Sequence, residues 1–399
     1  MKRLLILFAA LTLTVGCKKD DAPVPKPTEQ TLVMYFPWSG TLTSFFLTNI
    51  EDMKQVIAAG IPEDCRVVVF LMPNSTEGRL YELYNRKGIT VEKELATYKN
   101  PACTTAEGIA AILNDVRRFA PAKRYAMSIG SHGMAWLPAH PTTTGGADAL
   151  YSTTPQKEYW EHTDVNGLPL SRWFGADSNA HKTDVATLAA GIQQAGIKME
   201  YILFDVCYMS SIEVAYELRN VAEQIIASPH EIINYGFPYA ECGNVMIGSP
   251  DYAEITKRFY DFYMENKDKI AYNCGTIAVT KCAELESLAA LMKQINLSAL
   301  DTSISLTAIQ PADNYTPHRF YDLGDYVEQC CTDPALRSAF AAQLERTVPS
   351  AYRRHTPTFF SQLSDKNPIR TFSGIMTSDP SVSSDCNEKE QTAWWKATH

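Results

Sequence analysis

The chain has 399 residues, of which 45% are hydrophobic and 11% aromatic, enough to bury one large core or two modest ones. Its formal net charge is -9, and no basic stripe is interleaved with aromatic residues, which argues against nucleic acid as a partner. No long apolar run follows the N-terminal one, which excludes a membrane-spanning structural protein.

The opening stretch "MKRLLILFAALTLTVGCKKDD" begins with two positive charges and continues through an apolar segment too short to span a bilayer comfortably. It ends in small residues before Cys17. This predicts a signal peptide over residues 1–16. The segment Thr14-Val15-Gly16-Cys17 resembles a bacterial lipobox, whose cysteine is lipidated and becomes the mature N-terminus; Thr14 stands where Leu is usual, and Leu13 sits one place early. The run Lys18-Lys19-Asp20-Asp21 is similar to the acidic signal that sends lipoproteins of the Bacteroidetes to the cell surface, the alternative being a solvated spacer. The expectation is an exported outer-membrane lipoprotein attached through lipid on Cys17, with plain secretion as the alternative. Residues 17–30, with three prolines and few apolar groups, read as a flexible tether before a domain over 31–399.

Along the chain, "TLVMYF" (31–36) predicts a buried strand and "LTNIEDMKQVIAAG" a helix closed by Gly60. "CRVVVFLM" (65–72) is a continuous apolar run of the kind produced by parallel strands buried on both faces. "AEGIAAILNDVRRFA" (106–120) predicts an amphipathic helix, and "RYAMSIGSHG" (124–133) a strand followed by a glycine-flanked turn. Then come helix ("DVATLAAGIQQAG"), strand ("MEYILFDV"), helix ("SIEVAYELRN") and strand ("EQIIASP"). After about Pro250, helix, strand and helix follow in "DYAEITKRFYDFYMEN", "GTIAVT" and "AELESLAALMKQI", and the pattern then becomes less regular. This alternation predicts an α/β fold with a mostly parallel central sheet covered on both faces and ligands at the carboxyl ends of its strands. Between Trp136 and Lys182 the alternation gives way to a polar, Gly- and Thr-rich segment, which at that length reads as a functional or processed loop.

The ten cysteines have no regular framework spacing and no CxxC pair, so a zinc site lacks support. With Cys17 lipidated and Cys207 set aside as a free thiol, eight remain that could pair, and spacing does not say how.

Two strand ends carry reactive groups: "SIGSHG" offers His132 and "LFDVC" offers Cys207. Neighbouring parallel strands can bring these residues together although seventy-five positions separate them. An imidazole supplies the base that ionises a thiol, and a helix starting after Cys207 would favour the thiolate. Gly130 and Gly133 let the backbone bend near the imidazole, and the Gly133 amide is a plausible oxyanion donor. Taken singly, each residue has a plainer reading, Cys207 as core and His132 as a satisfied polar group. It is the pair that points to chemistry.

"SIGSHGMAW" and "YILFDVCYMSSIEVAYEL" resemble the His and Cys motifs of the clostripain family of cysteine peptidases. Further matches are "LVMYFPWSG", "SRWFGAD", "ASPHEIINYGFPY" and "YDLGDYVEQ". Each motif is short, and the specificity lies in the ordered set. The resemblance implies a caspase-like three-layer α/β/α sandwich, shared with gingipains and legumains. It implies a cysteine endopeptidase cleaving after Arg or Lys, with His132 as general base, Cys207 as nucleophile, and the backbone of Gly133 and Cys207 holding the oxyanion.

On the same resemblance Asp205 receives a basic P1 side chain, and Ser228 and Glu231 flank that pocket. Residues two apart on a strand share a face, which agrees for Asp205 and Cys207; the alternative for Asp205 is a carboxylate that accepts backbone amides. Self-cleavage is implied in the 137–182 segment, with Lys157, Arg172 and Lys182 as the basic positions, the alternative being a surface loop with ordinary lysines. Relatives can depend on calcium, but the acids here lack EF-hand spacing and no metal ligands are named. Val206 stands where Ala is common in the family. Peptides or proteins are the implied substrates, and the oligomeric state is left open. Two competing readings are an inactive surface lipoprotein that binds peptides or glycans on the same scaffold, and a serine hydrolase using Ser131. The second lacks a GxSxG elbow.

Overall fold

Two buried sets of side chains alternate along Thr28–Phe36 (β1): Val33 and Tyr35 enter one core, while Leu32, Met34 and Phe36 enter the other. A strand apolar on both faces must be covered on both, and this fixes the layering of the whole chain. The computed structural model describes residues 25–137, 174–175, 181–265, 273–382 and 384–399.

After β1 comes the helix Thr43–Ala59 (α1), which closes at Gly60, and Cys65–Asn74 (β2) runs parallel to β1. A hairpin follows, Glu77–Arg86 (β3) and Ile89–Lys99 (β4), turning through Lys87 and Gly88 with φ of 57° and 82°. Two positive φ values in a row are what a two-residue type I′ turn needs. Ala106–Phe119 (α2) is capped by Thr105, whose hydroxyl accepts from the Gly108 amide at 3.1 Å, and leads to Ala122–Gly130 (β5). Three two-residue strands form a small separate sheet: His132–Gly133 (β6), Phe174–Gly175 (β7) and Lys182–Thr183 (β8).

Val185–Gln194 (α3), Met199–Asp205 (β9), Ile212–Leu218 (α4), Ala222–Ala227 (β10), Tyr239–Met246 (α5), Tyr252–Glu265 (α6), Thr276–Lys281 (β11) and Leu285–Ser298 (α7) continue the alternation. The remaining elements are Phe320–Asp322 (β12), Leu323–Cys330 (α8), Pro334–Thr347 (α9), Arg353–His355 (β13), Thr358–Ser361 (β14), Ser364–Pro368 (β15), Met376–Ser378 (β16) and Ala393–Thr398 (α10).

The main sheet has nine strands in the order β13-β11-β10-β9-β5-β1-β2-β3-β4. Its five central strands are parallel, and antiparallel strands extend both edges. Helices α1, α5 and α6 bury their apolar sides on one face; α2, α3, α4 and α7 bury theirs on the other. This is the three-layer caspase-like sandwich that the resemblance implied.

The nine cysteines in the described residues are all free and buried, so the pairing considered for eight of them is not found there. No helix among the described residues is long and apolar enough to cross a membrane.

Candidate active site

Strands β5 and β9 are direct neighbours, with Gly130 opposite Asp205, so their carboxyl ends deliver the two loops that bear His132 and Cys207. Both residues line one pocket, together with Asp205. Its wall is completed by Phe45, Phe46 and Asn49 of α1 and by Ile232, Ile233, Asn234 and Gly236 from the segment after β10.

Cys207 is buried, and its sulfur meets main chain. The Ile232 amide donates to Sγ at 3.3 Å, and Sγ is 3.6 Å from the Ile232 carbonyl as a donor. Only the protonated thiol can make the second bond, whereas the first survives ionisation. The following residue, Tyr208, has φ of 64°, a left-handed backbone that a bulky residue adopts only when its surroundings over-determine it. They do so here. The Tyr208 amide donates to the His230 carbonyl at 3.2 Å, its hydroxyl donates to Glu231 Oε1 at 2.6 Å, and its ring packs against Tyr315 and Phe320. The loop thus turns sharply and aims Cys207 into the pocket.

Two local expectations need correction. Strand β9 ends at Asp205, so alternation along a strand does not carry as far as Cys207; the turn brings both residues to the pocket. Helix α4 begins only at Ile212, so the thiol does not sit at its first turn.

His132 is also buried, and its Nε2 lies 3.3 Å from the Thr41 hydroxyl, which comes from the short turn before α1. Gly130 matters for space rather than flexibility, because a Cβ there would stand 2.7 Å from the Phe36 ring. Ala135, three residues beyond His132, has φ of 54°, so each reactive loop holds one left-handed residue other than glycine. Gly133 pairs with Phe174 across β6 and β7. The Ser131 hydroxyl donates to the His132 carbonyl at 2.8 Å.

Asp205 is the buried acid of the pocket. The Phe237 amide donates to Oδ1 at 2.8 Å and Asn49 Nδ2 to Oδ2 at 3.2 Å. Burial pushes its carboxyl up to about 7, outweighing the two hydrogen bonds that pull the other way. Gly236 seals the back of the carboxylate: its φ is 73°, and a Cβ there would lie 2.6 Å from Oδ1. Gly236, Asn49 and Thr41 were not anticipated from the sequence.

Ser228 and Glu231 stand behind this wall. Ser228 Oγ bonds Thr276 Oγ1 at 2.7 Å and donates to the His230 carbonyl at 3.0 Å. Glu231 accepts from Tyr208 through one oxygen and from the Gln362 amide, at 3.1 Å, through the other. The nearby His230 is buried among Thr276 and the Phe359 ring, and burial pulls its imidazole down to about 3, so it stays neutral. Lys182 is buried in β8, one strand removed from His132 through β7. Lys157, Arg172 and Cys17 lie outside the described residues. Among the described residues no group of three or more His, Cys, Asp or Glu is arranged to hold a metal ion, so calcium has no assigned place and no step below runs through one.

A caspase-like sheet with a cysteine and a histidine at adjacent strand ends defines a cysteine-peptidase scaffold. Residues 159–346 match the Clostripain family, Peptidase_C11. Along 94% of this chain and 100% of its own, a secreted C11 cysteine protease from Bacteroides thetaiotaomicron, "iotapain", is 46% identical, with a TM-score of 0.83. A clostripain from the same species, in complex with the peptide inhibitor BTN-VLTK-AOMK, is 49% identical over 57% of this chain and 99% of its own, with a TM-score of 0.54. An inactive zymogen C11 protease from Parabacteroides distasonis, at 23% identity over 94% of this chain and 99% of its own and a TM-score of 0.75, shares the fold. No curated protein matches the chain. The chain belongs to the clostripain family and is a cysteine-type endopeptidase.

Proposed function

We propose that the enzyme cleaves peptide bonds after Lys or Arg, using Cys207 as nucleophile, His132 as general base and acid, and Asp205 to receive the P1 side chain. The observation that carries this reading is that His132, Cys207 and the buried Asp205 carboxylate line one pocket. A buried acid favours a cationic P1 group, because an apolar one would leave the carboxyl unpaired, and an ammonium or guanidinium entering the pocket would draw the Asp205 proton off. In the related clostripain, at 49% identity, the bound inhibitor carries lysine at the end of its VLTK peptide, which supports a basic P1 residue here.

In the proposed reaction the Cys207 proton passes to His132 as Sγ bonds the scissile carbonyl carbon. The oxyanion is held by the backbone amides of Gly133 and Cys207. The C–N bond then breaks, and the His132 proton goes to the departing amine. Water adds to the thioester, giving up one proton to His132, and the proton returns to sulfur as the acid leaves.

Self-processing in the 137–182 segment belongs to the same proposal. Lys157 and Arg172 are the favoured positions, since Lys182 would first have to leave β8. Export with lipid on Cys17 rests on residues 1–21, and the secreted relative supports export.

The test uses the mature chain with matched peptides carrying Arg, Lys, Ala or Asp at P1, beside Cys207→Ala, His132→Ala and Asp205→Ala. Cleavage after Arg and Lys that vanishes in the first two variants, and loses its basic preference in the third, is the expected result. Undiminished turnover by Cys207→Ala would overturn the assignment. If no peptide is cleaved, with or without calcium and reductant and after limited proteolysis of the 137–182 segment, the chain is instead a binding protein on this scaffold.

A further inference from the structure

A basic cleft lies at the opposite end of the sheet from the catalytic loops. A cleft of about 800 Å³, within the range of ligand sites, is formed where β5 and β9 begin. Arg117, Arg118, Lys123, Arg124 and Lys198 line it, opposed by only two carboxylates, Glu200 and Glu223. Even with Glu29, which pairs with Lys123, counted against it, this leaves a local surplus of two positive charges on a chain of net charge -9.

Some of these cations are partly committed. Arg124 pairs with Glu200 and donates to the Gly248 carbonyl at 2.7 Å, Arg117 donates to the Ala195 carbonyl at 2.6 Å, and Lys123 pairs with Glu29. Arg118 and Lys198 are exposed, the Arg118 guanidinium resting over the Phe119 ring.

The N-terminal strand begins beside this cleft. Thr28 stands opposite Ala122 in the sheet and donates its amide to the Pro121 carbonyl at 3.0 Å, and both partners line the cleft. The eleven residue-to-residue steps from Cys17 to Thr28 reach at most about 40 Å. A chain lipidated at Cys17 therefore keeps this end of the molecule within about 40 Å of the bilayer, close enough for the charge of the cleft to orient it. The β5 strand between the cleft and the His132 loop is about 26 Å long, so with the cleft seated on the bilayer the catalytic pocket would face away from it.

We propose that this basic cleft docks the enzyme on the anionic, phosphate-bearing surface of the membrane that holds its lipid, with the catalytic edge turned outward to solvent and substrate. The proposal rests on the lipid anchor proposed above. Headgroup phosphates are the ligand class, because clustered Arg and Lys bind them by charge and by forked hydrogen bonds.

The test uses the chain from position 17 onward with Cys17→Ser, so that no lipid masks the contact. Co-sedimentation is measured with vesicles of phosphatidylcholine alone and of phosphatidylcholine with one third phosphatidylglycerol. Salt-sensitive binding to the anionic vesicles is expected, falling at least about tenfold in Arg118→Glu/Lys198→Glu while cleavage of a small soluble peptide is unchanged. Equal partition onto both vesicles, or charge reversal without effect, would overturn the proposal. So would binding to heparin with no preference for anionic vesicles, which would make the cleft a site for soluble polyanions. Palmitate labelling of the natural Cys17 chain against Cys17→Ser tests the anchor separately, whatever the vesicles do.

Discussion

Replacing Asp205 by Asn should stabilise the protein while removing its specificity. The carboxyl lies in a buried pocket that raises it from an ordinary 3.8 to about 7, equivalent to roughly 4 kcal/mol of ionisation cost. Between those two values the folded chain holds a proton that the unfolded chain has released, so wild-type stability falls as pH rises from about 4 to 7 and the full cost is present above that window. Asparagine keeps an oxygen for the Phe237 amide and cannot ionise. Guanidinium unfolding, followed by tryptophan fluorescence in a Cys207→Ala background to prevent self-cleavage, should therefore show an advantage of Asp205→Asn that grows by roughly 2.5 kcal/mol between pH 5 and pH 8. In the active background the same substitution should lower kcat/KM for a Lys substrate at least about a hundredfold, through a lost charge-assisted contact. An advantage that is constant with pH, or that shrinks as pH rises, would refute the argument that burial governs this carboxyl. A stable variant with unaltered preference for Lys and Arg would refute its role in P1 recognition.

Three further outcomes follow from the same geometry. Gly236→Ala places a Cβ against the Asp205 carboxylate at a left-handed position, and should cost about 1–2 kcal/mol of stability and lower kcat/KM for basic substrates about tenfold or more, checked by unfolding and peptide kinetics. Thr41→Val removes the hydroxyl beside His132 Nε2 and should lower kcat by up to about tenfold with KM nearly unchanged, the split that separates positioning from binding. Lys389→Met leaves the buried Glu213 without its cation, 3.1 Å away, and should destabilise the chain by about 3–5 kcal/mol, read by chemical unfolding of Cys207→Ala proteins.

Strands buried on both faces were legible because their composition says so: β1, β2 and β9 are near-continuous apolar runs, and the helices between them carry clear stripes. The β3–β4 hairpin is hard to read from the sequence although "RKG" marks its turn, because an exposed edge strand such as β4 has little apolar contrast to reveal it. Helix α9 carried start signals too, Asp333 capping and Pro334 in the first turn, but it buries only four residues and so shows no strong period.

At the candidate site, His132, Asp205 and Cys207 were legible because each lies at or just beyond the end of a readable strand and matches a motif. Asn49 and Gly236 could not, since they meet Asp205 from positions 156 and 31 residues away and neither carries a local signal of its role. Ser228 and Glu231 were found by motif, but a motif cannot say on which side of a loop a side chain falls. Here both point to the scaffold under Tyr208 and His230.

The chain after the last main-sheet strand supports the reactive loops rather than trailing from them. Ser210 and Ser211, just past Cys207, are clamped to the later segment: the Met376 amide donates to the Ser210 carbonyl at 2.9 Å, and the Ser210 hydroxyl donates to the Gly374 carbonyl at 2.7 Å. Glu213 binds Thr377 at 2.9 Å, Ser378 and Lys389, all within the protein interior. On the other loop, Trp136 reaches the same Ser378 hydroxyl at 3.1 Å. Ser378 thus touches both the His132 loop and the helix that follows Cys207. Two loops that each contain a strained left-handed residue need many independent contacts to hold one conformation, and strands β5 and β9 supply only their anchor points. Gly374, Met376, Thr377, Ser378 and Lys389 thus brace the loops of His132 and Cys207 alongside the sheet, and removing these contacts should lower activity even where the central fold survives, read by peptide kinetics beside circular dichroism.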